Sequence, residues 1–268
     1  MYCLKRIFKK TVFIPAVILA LHGLSFAGVS VTPERHIVEI APGETAYVEY
    51  EVYNSGSDAL DIVIEPQDLA KLKENKDIDI KSWLRLKQEK VTVPAQGMEK
   101  IGVNIKAPKN AVGELDSMIY LCYKEQKESM LNIRYGTPLY VLIKGTEKIK
   151  TEIRSVKAAL QQNPINGQRQ FIISADVLNS GNRHIRPEVW AVVKNIKTKT
   201  EQKITLNNPW PIFGGQNYVY RIIQENYDLP KGRYLCTVFF DDKKGNIETR
   251  AISFDIDKDA GLKTNERL

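Results

Sequence analysis

Cysteine and histidine are both scarce. The 268 residues hold three of each: Cys3, Cys122 and Cys236, then His22, His36 and His184. So few soft ligands exclude a disulfide-rich scaffold and a multi-zinc module. Nucleotide and hydrolase signatures are missing as well: no P-loop, no dinucleotide fingerprint and no Gly-x-Ser-x-Gly elbow occurs. Charge of one sign does not dominate. The formal net charge is +7, but Lys5, Arg6, Lys9 and Lys10 crowd into the first ten residues, so the rest has no concentrated basic face for nucleic acid. What is present is apolar content of 43%, enough for a core in one large domain or two modest ones.

The N-terminus has three parts. Residues 4–10 are basic, residues 11–21 form a short apolar run, and Ser25-Phe26-Ala27 is a small-x-small site before Gly28. This is the secretory signal pattern, and the apolar run falls short of the ~20 residues of a spanning helix. Residues 1–27 are therefore expected to be a signal peptide, with no cysteine at the cleavage point to carry a lipid. The protein is expected to be exported, to the periplasm or alternatively to the cell surface or the medium, without stable membrane insertion after cleavage.

Beyond Gly28 the pattern has period two. Ala46, Val48, Tyr50 and Val52 alternate with polar or aromatic neighbours, as do Ile101, Val103 and Ile105, then Phe171, Ile173, Ala175 and Val177. Alternation of this kind marks half-buried strands. Turn signals separate the runs, among them Asn54-Ser55-Gly56, Ala95-Gln96-Gly97, Asn179-Ser180-Gly181 and Lys244-Gly245-Asn246. The chain also repeats itself: each half has strand, Asn-Ser-Gly turn, strand, and later a Tyr-x-Cys strand (Tyr120 and Cys122, then Tyr234 and Cys236). Tyrosine two residues before cysteine on a late strand is the tyrosine-corner arrangement of immunoglobulin-like sandwiches. The expected fold is all-β, two immunoglobulin-like β-sandwich domains in tandem: 28–147 and 148–257, then a polar tail at 258–268. Gly145–Ile153 is the expected linker or strand end.

Catalysis and metal binding find little support. A Cys–His pair would need Cys122 or Cys236 beside His36 or His184, yet both cysteines lie in apolar strand-like runs, where an inert buried thiol is expected. One cysteine per half also makes a disulfide geometrically hard, since Cα atoms must come within about 7 Å. In the tail, Asp255, Asp257, Asp259 and Glu266 approach calcium-loop spacing, but Ala260 stands where that loop needs glycine. Lys144, Lys148, Lys150, Arg154 and Lys157 are interrupted by Glu147 and Glu152, which suits a solvated face. The expectation is no enzyme, no cofactor and no metal.

The first half resembles the first domain of periplasmic pilus-assembly chaperones over residues 29–146. The carrying residues are Val29–Ile40 (VSVTPERHIVEI), Pro42-Gly43-Glu44-Thr45, Asn54-Ser55-Gly56, Trp83-Leu84 with Val91–Pro94, Pro108 and Gly113, and Leu139–Lys144. The resemblance implies binding by edge-strand donation to a secreted, pilin-like subunit. The residues it points to are Leu131, Ile133, Tyr135, Leu139, Val141 and Ile143. It further implies that Arg35 anchors the subunit's terminal carboxylate, a task suited to a fixed guanidinium. The family pairs that arginine with a lysine on the last strand; here Tyr140 is the nearest occupant, Arg134 and Lys144 are out of step, and Pro138 is expected to interrupt the strand. The alternative is a non-catalytic envelope structural or adhesion protein made of two sandwich modules.

Overall fold

The computed structural model describes residues 28–124, 132–225, 229–257 and 261–265, the last for backbone alone. The expected signal peptide, Leu131, Asp259 and Glu266 lie outside the described residues.

Two immunoglobulin-like β-sandwiches follow one another. The first uses β1 (Val29–Thr32), β2 (His36–Ile40), β3 (Thr45–Asn54), β4 (Leu60–Ala70), β5 (Leu84–Leu86), β6 (Lys90–Val93), β7 (Met98–Lys106), β8 (Glu114–Lys124) and β9 (Asn132–Ile143). Its sheets have the orders β1-β3-β7-β5 and β2-β9-β8-β4-β6. The alternating residues read from sequence meet between them: Tyr50, Val52, Ile101 and Val103 join Ile62, Ile119 and Leu121 in one buried cluster. Trp83, closing the one-turn helix α1 (Ile80–Trp83), seals an end of that cluster.

The second sandwich uses β10 (Thr151–Gln162), β11 (Arg169–Asn179), β12 (Glu188–Asn195), β13 (Glu201–Leu206), β14 (Asn217–Glu225), β15 (Gly232–Asp241), β16 (Ile247–Asp257) and β17 (Gly261–Asn265). Its sheets run β10-β11-β14 and β13-β12-β15-β16-β17 around Phe171, Val189, Tyr220, Val238, Phe240 and Phe254. Within the expected polar tail, residues 261–265 pair with β16 as an edge strand. Asp255 and Asp257 face basic partners across the sheet, Arg233 at 3.1 Å and Lys231 at 3.3 Å.

The repeated Asn-Ser-Gly turns do the same work in each sandwich. Asn54 is fully buried; its amide donates to the carbonyls of Asp58, Val93 and Pro94, and its oxygen accepts from Gly56 N–H. Asn179 donates to Arg183 and Ile212 and accepts from Gly181. An asparagine satisfies several otherwise stranded backbone groups at once because it carries two donors and an acceptor. The tyrosine corner is present in the second domain, where Tyr234 donates to the Pro230 carbonyl at 2.7 Å. Tyr120 in the first domain instead lies under the Arg134 guanidinium, 3.6 Å from its ring centroid.

The domains meet on the outer face of the sheet that carries β8 and β9. Tyr140, Leu142 and Phe213 form a small apolar cluster there. Backbone fit is close. Gly113, at φ +67°, leaves no room for a side chain, since a Cβ would fall 2.3 Å from the Asn182 carbonyl oxygen. Asn182 locks the link between domains by donating to the Thr146 carbonyl and accepting from Lys148 N–H. Arg183 pairs with Glu147 at 2.8 Å.

Candidate functional site

Strand β9 has two different halves. Along its whole length it pairs antiparallel with β8. On its other side β2 runs parallel to it, but only from His36 opposite Leu139 to Ile40 opposite Ile143. Residues 132–138 therefore have a strand on one side and, among the described residues, none on the other. An edge of this kind presents unpaired backbone donors and acceptors, the template for adding a strand.

The side chains divide at the same place. Asn132, Arg134 and Gly136 are exposed, and Ile133 and Tyr135 are half-buried. Thr137 closes the edge, its hydroxyl donating to the Glu34 carbonyl at 2.8 Å. Leu139, Val141 and Ile143 are buried to 0% exposure within the first core. Of the six strand residues expected to contact a subunit, then, Ile133 and Tyr135 sit on the open edge. Leu139, Val141 and Ile143 point into the first core between the two sheets, and β2 occupies the strand's edge there. Pro138 does not interrupt β9: the strand runs through it, opposite Met118, and the outer neighbour changes from open space to β2 at the next residue. A proline is tolerated at such an edge.

Arg35 is exposed in the link between β1 and β2. Ile37, 55% exposed, lies opposite Tyr140. Tyr140 faces the second domain. From there Arg186 donates to the Tyr140 hydroxyl at 3.0 Å, its guanidinium 5.8 Å from the ring centroid. Desolvation raises the Tyr140 phenol above its usual range. Among the described residues neither Arg35 nor Arg186 lies within ion-pair distance of a carboxylate. Arg186 of the second domain thus stands beside Tyr140, and the position expected to hold a lysine holds a tyrosine that orients an arginine from elsewhere.

No protein-family model matches this chain, and no curated protein matches it by sequence. Solved structures do match it. The similar folds are mainly pilus-assembly chaperones. The YadV chaperone has 11% identity and a TM-score of 0.47, over 88% of this chain and 97% of that one. CsuC, solved with the tip subunit CsuE of archaic Csu pili from Acinetobacter baumannii, has 11% identity and a TM-score of 0.45, over 84% and 98%. The class 5 fimbriae chaperone CfaA has 17% identity and a TM-score of 0.43, over 90% and 100%.

Deeper in the junction lies a cluster that sequence reasoning missed. Glu114 and Asp116 leave β8 on its outer face, opposite Leu142 and Tyr140. His184 comes from the second domain, its Nδ1 2.7 Å from Glu114 Oε1 and its backbone N–H donating to Glu114 Oε2. The imidazole stacks on the Tyr140 ring with centroids 4.0 Å apart. Asp116 is 3% exposed, and its Oδ1 has no hydrogen-bond partner. Burial, then the neighbouring Glu114 charge, pushes its carboxyl well above the usual range. One signal was available: Glu-x-Asp in an otherwise apolar strand puts two carboxylates on one face. Nothing local links them to His184, 70 residues away for Glu114.

Both remaining cysteines are free thiols, Cys236 buried and Cys122 half-buried. Among the described residues no helix is long and apolar enough to cross a membrane.

Proposed function

We propose that this chain is an exported, chaperone-like protein that captures a secreted, pilin-like subunit on the open edge of β9. The observation that carries the reading is the one-sided pairing of residues 132–138. A subunit strand laid against that edge would satisfy its backbone groups, with Ile133 and Tyr135 giving apolar contact. Arg35 would hold the subunit's terminal carboxylate, with Arg186 as the second cation. A guanidinium binds a carboxylate bidentately, and Tyr140 pre-positions the second one. The N-terminal signal pattern supports a periplasmic location. The alternative, an envelope spacer or adhesion module, would leave the edge without a client.

The test is capture from the cell envelope followed by hydrogen exchange on the complex. Wild type is expected to retain a small secreted subunit and to gain amide protection in residues 132–138. Arg35→Glu and Ile133→Asp are each expected to lose it. Protection elsewhere, or equal retention by all three proteins, sinks the proposal and favours the spacer.

A further inference from the structure

We propose that Glu114, Asp116 and His184 form a site for one transition-metal dication, zinc by preference, that clasps the two domains together. The inference is independent of subunit capture. The three residues each offer a ligand atom, and these atoms all lie within 4.8 Å of one another. All three side chains are buried. One imidazole nitrogen with two carboxylate oxygens suits zinc, whereas calcium and magnesium take oxygen ligands in larger number. Zinc bonds of about 2.0–2.2 Å put neighbouring ligands roughly 3.4 Å apart. To reach that spacing the widest gaps, up to 4.8 Å, must close by about an ångström while the 2.7 Å His184–Glu114 contact opens.

The second observation is the orphaned Asp116 Oδ1, buried with no hydrogen-bond partner. A buried carboxylate oxygen without a partner is costly unless a cation or proton meets it. Among the described residues no lysine or arginine is paired with it; the nearby Lys71 pairs with Asp68 at 3.5 Å, and Arg186 is turned to Tyr140. Beside Glu114 and Asp116 is a cavity of about 10 Å³, room for one water at a remaining coordination position. The Glu114 bond to the His184 backbone can persist when its other oxygen turns to metal, and the Tyr140 stack already fixes the imidazole plane. Because ligands come from both domains, the metal would bind only the docked arrangement and so stabilise it.

The experiment is zinc titration of the metal-stripped purified protein by calorimetry, with metal content counted by mass spectrometry and calcium as the control cation. The expected result is one zinc per chain, a higher melting temperature with zinc, and no response to calcium. Asp116→Asn and His184→Gln should each weaken zinc about tenfold or more. X-ray absorption of the zinc-loaded wild type should show nitrogen and oxygen neighbours without sulfur, a readout that stands even if a variant misfolds. No zinc uptake, unchanged affinity in both variants, or sulfur in the shell would overturn the proposal and leave the cluster a hydrogen-bonded clasp.

Discussion

Tyr234 and Cys236 show how two residues of one strand can have opposite chemical demands. Tyr234 keeps its ring stacked on Phe254 at 5.5 Å and sends its hydroxyl to the Pro230 carbonyl. Tyr234→Phe keeps the ring and strands that carbonyl, so urea unfolding should show a loss of about 1 kcal/mol. Cys236 has no such partner to seek: burial pushes its thiol up to about 12. At pH 8 such a thiol is almost entirely protonated, and the thiolate is the reacting form. Cys122 is also raised, first by desolvation and then by the Glu65 charge, but it is half-buried. Alkylation of the native protein, read by mass spectrometry, should therefore label Cys122 first and Cys236 only on unfolding. The Tyr-x-Cys spacing was legible in sequence for both halves. The different fate of Tyr120 was not, because it depends on Arg134 reaching across from β9.

At the scale of elements, β9 is one strand with two roles. Its alternation gives way at Leu139 to a continuous apolar run, Leu139–Ile143, which marks a strand buried on both faces but does not say which neighbour lies along its edge. The separation comes from β2, whose pairing begins at Leu139. Leu139→Ala should cost roughly 2–5 kcal/mol of stability, as a buried leucine truncated in a packed core does. Ile133→Ala, on the open half, should cost under about 1 kcal/mol and act on subunit capture instead. Chemical denaturation of the two variants distinguishes the halves. The paired Asn-Ser-Gly turns were visible as a repeat, and the structure supplies their reason: each asparagine holds carbonyls of two separate segments. Asn179→Ala removes three hydrogen bonds and leaves the Arg183 carbonyl without its donor, while Ile212 and Gly181 keep bonds to Ile185 and Lys150, so a loss of about 1–2 kcal/mol is expected by the same measurement.

For the whole molecule, the relation between the two sandwiches is set by close backbone approach as well as by side chains. Gly113→Ala would place a methyl group 2.3 Å from the Asn182 carbonyl oxygen at a φ of +67°. Both effects oppose it, so the junction should loosen, seen as a larger radius in small-angle scattering while strand content by circular dichroism stays near wild type. Turn spacing and alternation by themselves determined that this protein is all-β, that it has two similar halves, and which faces of its alternating strands fill the cores. They could do so because a strand buries every second side chain whatever its neighbours are. Tertiary structure alone decided which half of β9 is open, which arginine stands by Tyr140, and that Glu114, Asp116 and His184 meet. Those contacts join residues far apart in the chain and on different domains, where no local period records the partner.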